Sequence, residues 1–291
     1  MFFHKNTLNT LNQPKSYGFW LAAFKRFRRN KLAMLSLIFI LSVTLMCIFV
    51  PFFSHYVYSV PNFSDSLVAP GAQYWFGSDG LGRDLFVRCF IGGRVTFEIA
   101  TAATIVVLGI GVIYGSIAGF MGGYVDSIMM RIVDILYGLP FLFFSILLLT
   151  LFGQSIIISF VAIAAISWLD MSRVVRGQTL SLRQKEFVEA AKLIGASNWR
   201  IISKHIIPNL IGVVIIYAAL VVPNMIVLSA VLSFFGLGVM EPMTSWGLLI
   251  NDGVQNMSSW WLLFFPALLM VLTLLSFAFV ANGLRDALDP R

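Results

Sequence analysis

Charge is scarce in this sequence, and acid scarcer still. Asp, Glu, Lys and Arg make up 11% of the 291 residues, only 13 of them acidic, against 59% hydrophobic residues. A soluble domain carries roughly 25% charged residues, so a water-soluble fold is excluded. A polytopic membrane protein needs far fewer, because lipid is its solvent over most of its surface. Cysteine is nearly absent. Cys47 and Cys89, one in an apolar run and one in a polar run, offer neither a disulfide framework nor a thiolate metal site. The three histidines, His4, His55 and His205, all fall outside the apolar runs. No H-E-x-x-H, G-x-S-x-G or G-x-x-x-x-G-K-[ST] pattern occurs. No metal, cofactor, catalytic residue or ATP-cradling loop is therefore expected of this chain.

The shortage of acid leaves a net charge of +7. A basic balance alone would suit nucleic acid. Here the Lys and Arg residues stand at the edges of apolar runs, where they orient a membrane protein instead. Six runs approach the roughly 20 apolar residues that a helical span requires: about 32–52, 98–120, 132–152, 155–170, 210–235 and 260–281. The fourth is short and borrows polar residues at its end, and Gly153-Gln154 joins it to the third in a tight hairpin. The first is too long, and too far from the start, for a cleaved signal peptide, so it is expected to stay as an anchor. Lys and Arg number seven in the leader 1–31, three in 54–97, one in 121–131, seven in 171–209, none in 236–259 and two in the tail. With both termini in the cytoplasm, seventeen lie inside and three outside, which is the expected direction for a multi-pass protein of the cytoplasmic (inner) membrane.

The most polar stretch between spans reads EFVEAAKLIGASNWRIISKHIIPN, Glu186 to Asn209. Phe187, Ala190, Ala191 and Ile194 recur at i, i+3, i+4 and i+7 and mark one face of a short helix. Glu186 and Glu189 lie near its start, where the helix dipole favours anions. Gly195 is a natural stop, Ser197 can cap a second helix, and Trp199, Ile202 and Ile206 share a face of that helix. Pro208 is expected to end it before the fifth span. Two short helices with a greasy and a charged side fit a loop packed on its own bundle or a partner's groove.

That stretch closely resembles the EAA loop of ABC importer permeases, whose pattern is E-A-A, three residues, G, nine residues, then I-x-L-P. Glu189, Ala190, Ala191, Gly195 and Pro208 match it. His205 stands where the general pattern has Ile, as is typical of the peptide and nickel branch, and Ile207 where it has Leu. WFGSDGLGRDLFVRCFIGGRVTF (75–97), SFFGLGVMEPMTSWGLLINDG (233–253) and NGLRDALDPR (282–291) resemble the same branch, with Val87, Glu241-Pro242-Met243 and Asn282 as departures. The resemblance implies an all-α polytopic fold of the type I importer permeases. It divides the chain into a cytoplasmic leader 1–31 with an interfacial elbow helix and a permease domain 32–291, with core 95–285 and coupling loop 171–209. It also implies the assembly: a second homologous permease, two ATP-binding subunits or domains and an extracytoplasmic substrate-binding protein. Glu186, Glu189, Ala190, Ala191, Gly195, Trp199, His205 and Pro208 become the expected ATPase-coupling residues. The substrate is expected to be a di- or oligopeptide, with nickel complexes and glutathione as alternatives.

Other features are weighed from the residues themselves. Trp20, Phe24 and Phe27 share a face flanked by Lys25, Arg26, Arg28 and Arg29, a basic amphipathic helix suited to anionic membrane lipid. Gly111, Gly115 and Gly119 form a small-residue ladder that allows close helix approach. Asp134 lies just inside the third span and can pair with Arg131 at i−3. Pro223 and Pro266 interrupt the fifth and sixth spans, and Asn224, Ser229 and Ser233 are candidates to line a pore. A stand-alone channel or secondary transporter would want a relay of intramembrane ionisable residues, of which Asp134 alone qualifies. An intramembrane enzyme would want a constellation the sequence lacks.

Overall fold

The structure, a computed structural model, describes residues 18–288, without the side chains of Phe19 and Trp20. His4, Lys5, Lys15, Arg291 and the expected placement of the Trp20 ring lie outside what it describes. No strand occurs among the described residues; eleven α-helices do.

α1 (Phe19–Arg29) carries Arg26, Arg28 and Arg29 in its last turn. Ala23 and Phe27 are its buried residues, whereas Phe24 is exposed. Asn30 ends α1 and starts α2 (Lys31–Phe53), its side chain accepting from the Ala33 N–H at 3.1 Å. α3 (Leu85–Met121) begins where Asp84 accepts from the Val87 N–H at 3.0 Å. It is followed by α4 (Gly123–Tyr137) and α5 (Phe141–Phe152), then α6 (Ile156–Arg183), whose N-cap Ser155 accepts from Ile158. α7 (Glu186–Leu193) and α8 (Asn198–Ile201) follow, then α9 (Ile207–Phe234), α10 (Trp246–Gln255) and α11 (Trp261–Leu288). α2, α3, α6, α11 and the continuous rod Asn198–Phe234 are each long and apolar enough to cross a membrane. α4 and α5 together supply a sixth crossing as a pair bent by 79°.

The count of six agrees with the apolar runs; the boundaries do not. α3 starts at Leu85 rather than near residue 98, so Arg88, Cys89 and Arg94 stand on a helix, and Cys89 is fully buried. α6 continues to Arg183 rather than stopping at 170. Hydropathy marks where lipid contact ends, but backbone hydrogen bonding continues as long as the residues tolerate a helix. The third run is a broken pair: Pro140, which has no N–H and disfavours a helical residue before it, stands at the break with extended angles. Pro223 and Pro266, by contrast, lie within unbroken helices. Both cysteines are buried and unpaired.

α3 and α6 form the spine of the bundle, and the glycine ladder explains their closeness. A Cβ at Gly111 would lie 2.6 Å from Met171, one at Gly119 2.7 Å from the Arg176 carbonyl oxygen, and one at Gly115 would overlap the Ser172 carbonyl oxygen. Val95, Ile99, Ala103 and Val107 of α3 meet Ile163, Met171 and Val175 of α6 and Ile226 and Leu232 of α9 in one core. α1 and α2 join through α11, where Gly283 leaves room for Ala33 and Phe27. α10 folds back into the bundle: Trp246 is fully buried, and its Nε1–H donates to the Cys89 carbonyl at 2.9 Å.

Asp134 pairs with Arg173 at 2.9 Å, not with Arg131. The reason is the extension of α6, which carries Arg173 and Arg176 alongside α4. Arg173 also lies over the Tyr137 ring, 4.4 Å from its centre.

Candidate functional site

The EAA stretch folds as two helices joined by a glycine-centred turn. Gly195 has φ +78°, its N–H donates to the Lys192 carbonyl at 3.0 Å, and the Ala196 N–H donates to the Ala191 carbonyl at 3.0 Å. These two bonds are a Schellman cap, which requires the left-handed conformation that glycine adopts without penalty. Ser197 then caps α8 through the Arg200 N–H. Pro208 does not end the second helix. Residues 202–206 form a π turn, the Ile207 N–H reaching back to Ile202, and Pro208 sits in the first turn of α9. Pro208 has no N–H to donate into the preceding turn, and the helix passes it by way of the wider π turn, so α8 runs directly into the fifth crossing.

The packing faces differ from the apolar stripe in the sequence. Val188 and Ala191 are the buried residues of α7, whereas Phe187, Ala190 and Ile194 are exposed. On the second helix Ile201, Ile202 and Ile206 are buried and Trp199 is exposed. Leu193 is 88% exposed, Ile194 85% and Trp199 60%. Val188, Ala191 and the three isoleucines join the core formed by Phe120 and Val175, and Lys192 lies over the Phe120 ring at 5.5 Å. Glu186, Glu189 and Pro208 are exposed; His205 is half-buried near the Phe187 ring. The element is thus fixed to the bundle by one side and presents apolar groups and two carboxylates on the other.

A second feature is a groove of about 780 Å3 between α6, α9 and α11. Asn224 lines it, with Ser167, Asp170 and Tyr217. Ser229 and Ser233, named with Asn224 from the sequence, are buried within the chain's own bundle. Asp170 is the residue that the apolar runs do not single out, because the fourth run closes at that position. The signal available is the unbroken stretch beyond it, which has no helix breaker before Gly177.

At the end of α9 remote from α8, the segments 75–97 and 233–253 meet. Asp79 accepts from the Leu81 and Arg83 N–H groups and from Arg83 Nε at 2.7 Å. Arg83 Nη2 donates to Glu241 at 2.8 Å, and Arg88 lies 3.3 Å from Asp79. The Arg83 hydrogen bond holds Glu241 below the usual carboxylate range. Burial pushes nearby Asp252 up to about 6.

Residues 111–291 match the family model described as "Binding-protein-dependent transport system inner membrane component". The chain belongs to that family. Residues 18–70 also match the model of the N-terminal TM domain of oligopeptide transport permease C. An oligopeptide transport system permease protein OppC from Haemophilus influenzae is 48% identical over 96% of this chain and 91% of its own. One of the same description from Escherichia coli is 49% identical over 94% and 91%. A dipeptide transport system permease protein DppC from Bacillus subtilis is 42% identical over 92% and 85%. Among solved structures, a chain of the MetNI methionine ABC transporter in inward facing conformations matches with TM-score 0.57, covering 67% of this permease and 94% of that chain. At 14% identity the likeness concerns the fold alone. The chain is thus a multi-pass inner-membrane permease of the type I importer fold.

Proposed function

We propose that this permease forms half of the translocation pathway of an ATP-driven peptide importer, and that α7 and α8 receive the stroke of cytoplasmic ATPase subunits. The observation that carries the reading is the two-sided α7–α8 element. Its inner side is locked into the core, and its outer side leaves Leu193, Ile194 and Trp199 uncovered beside Glu186 and Glu189. Apolar side chains so exposed on a charged surface mark a contact for another protein. Peptide as cargo is supported by relatives described as oligopeptide and dipeptide permeases. The second permease, the ATP-binding subunits and the extracytoplasmic binding protein complete the proposed assembly. Both termini and α7–α8 face the cytoplasm in this reading, in keeping with the excess of Lys and Arg there.

Reconstitution in liposomes tests it. The permease with its second permease, ATPase and binding-protein partners should take up peptide when ATP is supplied. The chain alone should neither hydrolyse ATP nor take up peptide; uptake without partners or ATP would establish a stand-alone channel instead. Leu193→Arg and Glu189→Lys should each lower uptake at least tenfold while the subunit still inserts. Direction is tested separately in intact cells lacking native cysteines: Met257→Cys should react with an impermeant thiol reagent, and Ser181→Cys should not. The reverse pattern overturns the orientation.

A further inference from the structure

α6 carries three ionisable residues within two turns of its middle: Asp170, Arg173 and Arg176. The two arginines are committed, Arg173 to Asp134 and Arg176 to Asp126, both on α4. Asp170 is not. Among the described residues no cation and no hydrogen-bond donor lies against its carboxylate, and it is exposed in the groove between α6, α9 and α11. It stands midway along the 28 residues of α6, where the apolar run 155–170 ends and one turn before Arg173. A carboxylate on a spanning helix, where it occurs, faces a water-filled path or a charged partner. The surroundings agree, since Ser167, Tyr217 and Asn224 bring the groove's other polar groups to the same wall. The rest of the lining is apolar, including Val174, Leu220 and Leu228. A single negative charge in a mostly apolar groove is little screened and acts strongly on any passing charge.

We propose that Asp170 selects for positive charge in the translocated molecule: its carboxylate receives an alkylammonium group of the peptide as it passes between the two permeases. This rests on the importer reading above. Two sources share that chemistry, the free α-ammonium and a Lys side chain, and the experiment separates them.

The complete complex is reconstituted, and ATP-driven uptake is measured for three tripeptides, each at a concentration that saturates the binding protein. One contains lysine, one has norleucine in its place, and the third is the N-acetylated norleucine peptide. Asp170→Asn should lower uptake of at least one ammonium-bearing peptide fivefold or more and change the acetylated one by less than twofold; Asp170→Glu should restore it. Loss confined to the lysine peptide assigns the side chain, and loss for both free-amine peptides assigns the α-ammonium. Equal loss for all three, or none, overturns the proposal. A second arm needs no substrate. In the assembled complex without native cysteines, Asp170→Cys should react with a cationic water-soluble thiol reagent, and Leu169→Cys, at a fully buried position, should not. An unreactive thiol in the Asp170→Cys variant also overturns the proposal. If the wild-type complex takes up none of the peptides while the thiol of the Asp170→Cys variant reacts, the importer reading itself has failed, and the peptide assignment with it.

Discussion

Arg176 lays its guanidinium along both carboxylate oxygens of Asp126, Nε to Oδ1 at 2.5 Å and Nη2 to Oδ2 at 2.6 Å. The pair joins α6 to α4, a helix whose only buried residue is Val133. A forked contact of this kind combines charge with geometry. Asp126→Asn should therefore lower stability by about 1–2 kcal/mol. Asp134→Asn should cost less, within about 1 kcal/mol, because the Arg173–Asp134 pair is about half exposed on both sides. Thermal unfolding in detergent of the two variants checks the order; an equal or reversed effect would show that α4 is held by something else.

The glycine ladder makes a contrast possible on a single helix. Gly115→Ala drives a Cβ into the Ser172 carbonyl oxygen, and backbone cannot move aside cheaply. Overpacking of this sort typically costs about 1–3 kcal/mol. Gly109 lies on the same helix, and its added Cβ meets nothing within 4 Å. Gly109→Ala should leave stability unchanged or raise it by up to about 1 kcal/mol through helix propensity. Comparison of the two melting curves decides whether close approach of α3 to α6 is the reason for the ladder.

At Gly195 the added Cβ also meets open space, so the constraint there is the positive φ alone. Asparagine tolerates that conformation and β-branched residues do not. Gly195→Asn should keep most of the transport rate, and Gly195→Val should lose most of it while the protein still inserts. Similar rates for the two variants would mean that the shape of the turn does not matter to transport.

Asp252 has a pH consequence whose sign can be worked out. Burial raises its folded value from 3.8 to about 6, so the folded state binds the proton more tightly than the unfolded chain. Between those values stability falls as pH rises, and above pH 6 the half-buried carboxylate is a net cost. Asp252→Asn removes the cost: it should raise the melting temperature at pH 7.5 and leave it nearly unchanged near pH 4. Glu241 acts in the opposite sense. Arg83 lowers its folded value, so its stabilisation is present at neutral pH and is lost on acidification. A variant that gains stability at low pH instead would contradict the assignment for Asp252.

The number of crossings, the glycine break between α7 and α8 and the glycine ladder are legible in the sequence, because each depends on local pattern: apolar length, a Gly stop with a Ser cap, and a four-residue spacing. The expected end at Pro208 is not, since the second helix runs on to Phe234. Faces and ends are harder. Phe187, Ala190 and Ile194 look like a buried stripe, but apolar periodicity alone does not say whether the stripe meets this chain or another. Val188, flanked by charged and aromatic neighbours, goes inside, and of the stripe only Ala191 joins it. The Asp134 partner escapes for a related reason. Local spacing offers Arg131, whereas the choice of Arg173 depends on how far α6 extends and against what. Asp170 is lost at the same boundary.

The rod from Asn198 to Phe234 spans 37 residues without a break, or about 55 Å at 1.5 Å per residue. Such a rod is a lever. Its two halves are nearly equal about Tyr217, a residue of the groove wall. If the rod rocks there, the tip at Trp199 and the tip at Ser233 swing by similar amounts in opposite senses. A partner pressing on Trp199 would then draw one mouth of the groove together and part the other in a single stroke, with no second signal crossing the membrane.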